Sequence, residues 1–193
     1  MQHIAIFASG SGTNAEKIIA HFKGHSDINV ALILCNKPDA YVLQRAKNHH
    51  IPYVLVNREG FYQPGAMVEV MQKSNIDFIV LAGFMWLIPA DLTRAFDKRM
   101  INIHPALLPR YGGKGMYGNR VHEAVVAAGE TETGISIHWV NEHYDEGDII
   151  FQKSVAVSPD DDAEAVAEKV HALEYECYPG VIENILKERV QHG

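Results

Sequence analysis

An amide and an imidazole two residues apart are the first candidates for chemistry in this sequence. Asn102 and His104 lie at the end of a short apolar run, and Pro105 follows directly. In an extended strand, side chains two residues apart point to the same face, so we expect these two to lie side by side. An amide donates hydrogen bonds to a developing oxyanion, and a histidine donates or transfers a proton near neutral pH. The pair therefore favours a catalytic site over a histidine that merely ends a strand.

A carboxylate in a later turn is the third candidate. Asp145 lies in residues 144–147 (Tyr-Asp-Glu-Gly), just before a second apolar run. A carboxylate close to His104 would orient the imidazole and raise its pKa. Because Asp and Gly are also common turn formers, spacing alone leaves a solvated turn as an equal alternative.

Residues 10–14 (Gly-Ser-Gly-Thr-Asn) form a candidate anion site between a strand pattern and a helix pattern. The free N–H groups and the positive dipole end of a helix N-terminus bind phosphate. The Gly-Lys-Ser/Thr of a P-loop is missing. Residues 35–38 (Cys-Asn-Lys-Pro), after the second strand, lack the acidic residue that holds a ribose in dinucleotide-binding folds. We therefore expect a small phosphorylated ligand rather than NAD.

The remaining histidines predict no metal site. His122, His138 and His143 show neither a His-x-x-x-His pattern nor a Cys/His zinc spacing. For His138, within a strand pattern, the default interpretation is a structural histidine satisfied by hydrogen bonds. Cys35 and Cys177 give no CxxC pair and are expected to be buried as small apolar side chains.

The elements that must position these groups follow an alternating pattern. Strands are expected at residues 3–9, 29–35, 52–56, 77–83, 100–103, 135–140 and 148–157. Helices are expected at residues 15–22, 41–49, 67–73, 89–96, 121–128 and 163–187, the last interrupted near Pro179 and Gly180. The first five strands are apolar throughout, as in a parallel sheet, and the last two are expected to pair antiparallel. The prediction is an α/β fold: a doubly wound, Rossmann-like, mostly parallel sheet with a C-terminal antiparallel addition and a long helix.

Length and charge limit the function classes. The 193 residues carry 17 Lys+Arg and 24 Asp+Glu, a formal net charge of −7. We expect one domain, 1–193, with a nucleotide-binding half at 1–105 and further loops, strands and the long helix at 106–193. The acidic balance argues against a nucleic-acid partner, and no apolar run is long enough to span a membrane. With no signal-peptide pattern, a cytoplasmic protein with small-molecule partners is expected, as a monomer or homodimer.

Four motifs occur in the order of a known family. They are residues 7–14 (Phe-Ala-Ser-Gly-Ser-Gly-Thr-Asn), 81–85 (Leu-Ala-Gly-Phe-Met), 102–109 (Asn-Ile-His-Pro-Ala-Leu-Leu-Pro) and 145–150 (Asp-Glu-Gly-Asp-Ile-Ile). From about residue 3 to residue 179, the sequence resembles the phosphoribosylglycinamide formyltransferases, folate-dependent enzymes of purine synthesis. The His-Pro-x-Leu-Leu-Pro element is also shared with other formyltetrahydrofolate-using transferases and hydrolases.

The resemblance implies formyl transfer from the co-substrate 10-formyltetrahydrofolate to the amine of glycinamide ribonucleotide, through a tetrahedral intermediate and without a metal. It implies that Asn102 and His104 stabilise the oxyanion, and that Asp145 holds His104 charged and assists proton movement. The residues implied to bind the ribonucleotide are Ser11, Gly12, Thr13, Asn14 and Glu174. The resemblance places the folate on the side of the 106–193 loops and of the segment after the fourth strand. The residues implied to bind it are Arg58, Met85, Trp86, Leu87, Ile88 and Val140.

The sequence departs from the family pattern at two places near the folate side. Trp86 stands where an arginine is common, which makes the pocket wall bulkier and uncharged. The segment 111–119 is longer than the usual link to the following helix. Lys114 in this segment could contact an anionic substrate, although a solvated loop charge is the favoured interpretation.

Two other function classes stay open. A relative with another acceptor is one: a sugar-amine or methionyl-tRNA formyltransferase, or a formyltetrahydrofolate hydrolase. The tRNA enzyme is expected to carry an additional C-terminal domain, for which 193 residues leave no room. The hydrolase is expected to carry an N-terminal regulatory domain, whereas this sequence starts at the first predicted strand. A non-catalytic nucleotide-binding module is the other, and its ligand binding would not depend on Asn102, His104 or Asp145.

Overall fold

The computed structural model describes residues 1–192, so that Gly193, the last residue of the predicted domain, lies outside the described residues. The strands are β1 (Gln2–Ala8), β2 (Ile28–Cys35), β3 (Tyr53–Leu55), β4 (Phe78–Leu81), β5 (Met100–His104), β6 (Glu132–Trp139) and β7 (Ile149–Ala156). The helices are α1 (Thr13–Phe22), α2 (Val42–Asn48), α3 (Arg58–Tyr62), α4 (Ala66–Lys73), α5 (Ala90–Ala95), α6 (Asn119–Ala127) and α7 (Ala163–His192). Among these residues, no helix is long and apolar enough to cross a membrane.

The strands form one seven-stranded sheet in the order β3-β2-β1-β4-β5-β6-β7. Strands β1 to β5 run parallel, whereas β6 pairs antiparallel with both β5 and β7. The order 3-2-1-4-5 is that of a doubly wound sheet. The predicted fold class, including its antiparallel addition and long helix, is confirmed.

Alternation along β1 supplies both faces of the core. Ile4 and Ile6 pack into a cluster with α1 and α7, whereas Ala5 and Phe7 pack into a second cluster with α3, α4 and α5. All four side chains are fully buried. Burying each large apolar side chain stabilises the fold by about 1.5–3 kcal/mol, so β1 is fixed from both sides.

The chain crosses to opposite faces of the sheet after β1 and after β4, and the loops that follow these strands are tied together. The Ser9 N–H donates to the Gly83 carbonyl at 3.1 Å, and the Met85 N–H donates to Ser9 Oγ at 3.0 Å. Gly12 has a left-handed φ of 72°, and a Cβ there would lie 2.5 Å from Val42 Cγ2. Only glycine fits this turn, which leads directly into α1.

Two expectations from the sequence need correction. Helix α7 is continuous, although an interruption was expected near Pro179. Proline removes one backbone donor, but Tyr178, Ile182 and Leu186 are fully buried on both sides of it and hold the helix in place. Helix α3 was not predicted because five residues are too short to show a helical period; the Asn57 side chain caps it by accepting from the Gly60 N–H at 2.8 Å.

Tyr178 links α7 to the end of β4, and this link is testable. Its fully buried hydroxyl donates to the Leu81 carbonyl at 2.8 Å. We expect Tyr178→Phe to lower the free energy of unfolding by about 1 kcal/mol, measured by urea denaturation. The matched control is Tyr53→Phe, whose side chain is 42% exposed, with an expected change below about 0.5 kcal/mol. Equal effects of the two substitutions would contradict this role of Tyr178.

Candidate active site

A cavity of about 640 Å³ opens at the carboxyl ends of β1, β4 and β5. Residues 10–14, 81–88 and 113–118 supply much of its wall, together with residues around 140–145 and one face of α7. In doubly wound sheets, ligands bind outside the carboxyl ends of the strands, where the strand order reverses. This cavity is therefore the candidate site.

The Asp145 carboxylate lies at the centre of a buried polar cluster. Its Oδ2 is 3.5 Å from His104 Nδ1 and accepts from the Gly113 N–H at 2.9 Å. Its Oδ1 is 3.5 Å from His138 Nε2 and accepts from Asn102 Nδ2 at 3.4 Å. The structure thus brings together Asn102, His104 and Asp145, the three residues predicted to be catalytic.

Backbone carbonyls define which ring nitrogen of each histidine carries a proton. His104 Nε2 lies 2.7 Å from the Tyr111 carbonyl, which can only accept, so Nε2 donates and Nδ1 faces Asp145. His138 Nδ1 lies 2.9 Å from the Trp139 carbonyl and therefore donates. His138 Nε2 is then free to accept from Asn102 Nδ2 at 3.1 Å. In the neutral form, His104 therefore presents an unprotonated Nδ1 at the reaction centre.

The net pKa shift of His104 beside Asp145 differs from the expectation. Burial lowers the pKa of His104 below its usual value, and the nearby Asp145 carboxylate offsets this only in part. The carboxylate raises the pKa as expected, but the net shift is downward because desolvation of the imidazolium exceeds its attraction to the carboxylate. Burial raises the pKa of Asp145, but His138, His104 and the Gly113 N–H together lower it below its usual value. A neutral His104 thus faces an ionised Asp145 near pH 7.

Ser136 fixes the loop that follows β5. Its buried hydroxyl donates to the Ala106 carbonyl at 2.7 Å and accepts from the Leu108 N–H at 2.9 Å. A Cβ at Gly112 would lie 2.5 Å from Leu108 Cδ2 and 3.4 Å from Asp145 Cβ. A side chain at residue 112 would therefore displace the end of the Leu108 side chain beside the carboxylate.

The residues predicted to bind the ribonucleotide line one end of the cavity. They are Ser11, Gly12, Thr13, Asn14 and Glu174. Helix α1 begins here with Gly12 as its N-cap, so no side chain occupies its first N–H groups. Asn14 Nδ2 donates to Glu174 Oε2 at 2.8 Å, and burial raises the pKa of Glu174 to about 7.

The residues predicted to bind folate are brought together with one exception. Met85, Trp86, Leu87, Ile88 and Val140 line the cavity. Arg58 is not among the described lining residues; its guanidinium lies 5.6 Å from the Tyr62 ring centroid. The Tyr62 hydroxyl donates to the Leu87 carbonyl at 3.0 Å, so Arg58 is linked to the folate wall through Tyr62, and its role in folate binding stays a prediction.

Sequence reasoning missed three histidines of the site. His138 is satisfied by hydrogen bonds, as expected of a structural histidine, yet it also contacts Asn102, its partner in the β5–β6 register. His122 and His171 line the cavity with ring centroids 6.0 Å apart. His171 lies three residues before Glu174 on α7, a spacing that places both on one helix face. This spacing in the sequence could have indicated that His171 belongs to the same site as Glu174.

The cavity contains no evident metal centre. Among the side chains that the structure describes, no group of three or more His, Cys, Asp or Glu could hold a metal ion. The donors around Asp145 are already paired with one another.

Comparison with known proteins decides the family. The family model described as "Formyl transferase" matches residues 2–182. The chain belongs to the formyl transferase family. Its strand order and the position of its Asn-Ile-His-Pro motif at the end of β5 are thus features of a family member.

Its relatives carry a more specific name. The chain is 37% identical to phosphoribosylglycinamide formyltransferase of Bacillus subtilis, over 96% of this chain and 95% of that one. It is 40% identical to the chloroplastic enzyme of Vigna unguiculata, over 97% of this chain but only 62% of the plant protein's length. A crystal structure of phosphoribosylglycinamide formyltransferase from Bacillus halodurans superposes with a TM-score of 0.87 at 38% identity, covering 96% and 95% of the two chains. The family resemblance predicted from the motifs is confirmed.

His122 generates a prediction about stability and pH. Burial, together with His171 and His104, lowers the pKa of His122 to about 4. The unfolded chain, with a histidine pKa of about 6.5, takes up this proton first as pH falls. The contribution of His122 to stability is therefore complete above about pH 6.5 and is lost as pH falls towards 4, by at most about 3 kcal/mol.

We expect His122→Gln to flatten this part of the pH dependence. The measurement is urea denaturation of both proteins at several values between pH 7 and pH 4.5. Identical slopes of unfolding free energy against pH would show that His122 is not held in its neutral form.

Proposed function

We propose that this chain transfers a formyl group from 10-formyltetrahydrofolate to the amine of glycinamide ribonucleotide (5′-phosphoribosylglycinamide), a step of de novo purine biosynthesis. One observation carries the proposal: Asn102, His104 and Asp145 meet in a cavity that also contains the free N-terminus of α1. The names of the relatives support the same reaction.

The two ends of the cavity suit two different substrates. The phosphate binds the free N–H groups of residues 11–14, and Glu174 contacts the ribose hydroxyls. The pterin of the folate lies along residues 85–88 and near Val140, where Leu87 and Ile88 make the wall apolar. The formyl group then lies between these ends, beside Asn102 and His104. Holding both reactants in attack geometry supplies a large part of the rate.

The reaction begins when the substrate amine attacks the formyl carbon. The formyl oxygen becomes an oxyanion, and the Asn102 amide donates to it. Of the two hydrogen bonds of Asn102 Nδ2, the one to Asp145 is the longer, at 3.4 Å against 3.1 Å to His138. The oxyanion replaces this weaker bond.

His104 moves the proton. Its unprotonated Nδ1 accepts a proton from the attacking amine, and the ionised Asp145 then stabilises the imidazolium. The new Nδ1–H also donates to the oxyanion. Collapse of the tetrahedral intermediate breaks the bond from carbon to N10 of the folate, and N10 takes the proton. The products are the formylated amine and tetrahydrofolate.

We also propose that the chain acts as one formyltransferase domain, because a single continuous sheet carries both halves of the cavity. Small molecules are its proposed partners. A monomeric or homodimeric state and a cytoplasmic location stay predictions; the Vigna unguiculata relative is named as chloroplastic.

The direct test mixes purified protein, 10-formyltetrahydrofolate and glycinamide ribonucleotide, and follows the formation of deformylated folate spectrophotometrically. A reaction without amine is the control. Turnover that requires the ribonucleotide supports the proposal. Turnover without an amine would instead assign a hydrolase, and binding without turnover would assign a non-catalytic module.

Substitution of the catalytic pair tests the mechanism. We expect His104→Ala and Asp145→Asn to lower kcat by about 10²–10⁴-fold, since each removes a step of proton transfer or its charge stabilisation. The KM for the ribonucleotide should change only a few-fold, because neither residue contacts the phosphate end. Asp160→Asn, in the exposed turn before α7, is the matched control and should retain wild-type kcat. A near-wild-type kcat in either variant of the pair would contradict the mechanism.

A further inference from the structure

Two basic side chains line the cavity and take no part in the proposed catalytic steps. Arg120 and Lys114 are the only Lys or Arg among the described lining residues. Neither forms an ion pair with another described side chain, although Arg45 and Arg94 bind Glu16 and Glu142 at 3.0 and 3.1 Å. The Arg120 guanidinium lies 5.0 Å from the Tyr117 ring centroid, so a cation–π contact holds it without neutralising it.

Arg120 belongs to the phosphate end of the cavity. It lies in the first turn of α6, two residues before His122. His122 packs against His171, which lies one helical turn before Glu174 on α7. Glu174 in turn accepts from Asn14 in the first turn of α1. Helix α7 thus packs against both α6 and α1, so that the start of α6 lies near the start of α1.

The start of α6 has unused hydrogen-bonding capacity. His122 is 1% exposed, lines the cavity, and its Nδ1 has no partner among the described residues. Buried polar side-chain atoms nearly always have a partner, so an unpaired imidazole nitrogen at the start of α6 is unusual. Gly118, the N-cap of α6, also leaves the first N–H groups of that helix without a side-chain acceptor.

The segment that carries Lys114 runs between the reaction centre at Asp145 and the phosphate end of the cavity. At one end, the Gly113 N–H donates to Asp145, beside the proposed position of the reacting amine. At the other end, Gly118 leads into α6 at the phosphate end. A ribonucleotide whose amine lies near Asp145 and whose phosphate lies at α1 therefore extends alongside this segment. Lys114 is exposed on the cavity wall within reach of that path.

We propose that Arg120, assisted by Lys114, binds the phosphate of the ribonucleotide from the side opposite α1. The inference rests on the proposed function and deepens it. A phosphate dianion in a chain of net charge −7, at the end of the cavity that carries Glu174, needs cations that are not already paired. Arg120 supplies a charge-assisted hydrogen bond, and Lys114 supplies a flexible second charge.

The experiment separates phosphate binding from folate binding. Arg120→Met, Arg120→Lys, Lys114→Met and the control Lys23→Met, an exposed lysine at the end of α1, are compared with the wild type. We measure kcat and KM for each substrate at two ionic strengths, and repeat the assay with the acceptor nucleoside that lacks the phosphate. Ribonucleotide binding without folate is measured by calorimetry, which does not depend on turnover.

For Arg120→Met, we expect the KM and the calorimetric Kd for the ribonucleotide to rise about tenfold or more, with kcat and the folate KM little changed. Lys114→Met should show a smaller rise, and Arg120→Lys should recover part of the loss. With the phosphate-free acceptor, Arg120→Met and wild type should have equal kcat/KM. A purely structural role of Arg120 would lower activity towards both acceptors alike.

Three results would overturn the inference. One is unchanged ribonucleotide binding in Arg120→Met together with wild-type formyl transfer, which would leave the proposed function intact. Another is a rise in the folate KM alone, which would assign these cations to the folate carboxylates. A wild-type protein that binds no ribonucleotide would contradict the proposed function and this inference together.

Discussion

The active-site geometry depends on the burial of one ionised carboxylate. The Asp145 side chain is only 11% exposed, and an uncompensated charge at such a position would be strongly destabilising. Two N–H donors therefore converge on it, the Asn102 amide from β5 and the Gly113 N–H from the loop between β5 and β6. The imidazole rings of His104 and His138 lie 3.5 Å from its oxygens. Asp145 itself has a left-handed φ of 56°, a conformation that a non-glycine residue keeps only when its contacts hold it there.

The strand pairing and strand order of the sheet bring these groups together. Antiparallel pairing of β5 with β6 places Asn102 opposite His138, so that both reach the same carboxylate. A shift of one residue in this register would turn the whole polar set of β6 to the opposite face. The parallel part of the sheet supplies the other half of the cavity, because the loops after β1 and β4 separate at the reversal of strand order. The antiparallel strand β6 thus supplies a side chain to the active site as well as extending the sheet.

The parts of the site that depend on residues close together in the sequence could be predicted. Strand alternation placed Asn102 beside His104, and glycine positions located the turn into α1. The participation of Asp145 could not be decided by spacing, since it depends on a turn that folds back over β5. The net direction of the His104 pKa shift could not be predicted for a related reason: the sequence shows a nearby acid, whereas only the packed structure shows how completely the imidazole is buried.

The same limit applies on the periphery. Arg58 matches a family position by its neighbours along the chain, and its guanidinium lies near the Tyr62 ring, so its role in folate binding stays a prediction. Proline at residue 179 is a local helix breaker, but the packing of Tyr178 and Ile182 decides the outcome. Local patterns therefore locate the site, and tertiary burial determines its charge state and its boundaries.

The protonation state of His104 is measured directly by a two-dimensional ¹⁵N–¹H NMR titration, assigned with a His104→Gln variant. We expect a neutral ring near pH 7, with the proton on Nε2, and a pKa below the usual value of about 6.5. A charged imidazole at pH 7, or a neutral ring protonated on Nδ1, would contradict the role of His104 as the group that accepts the proton of the attacking amine.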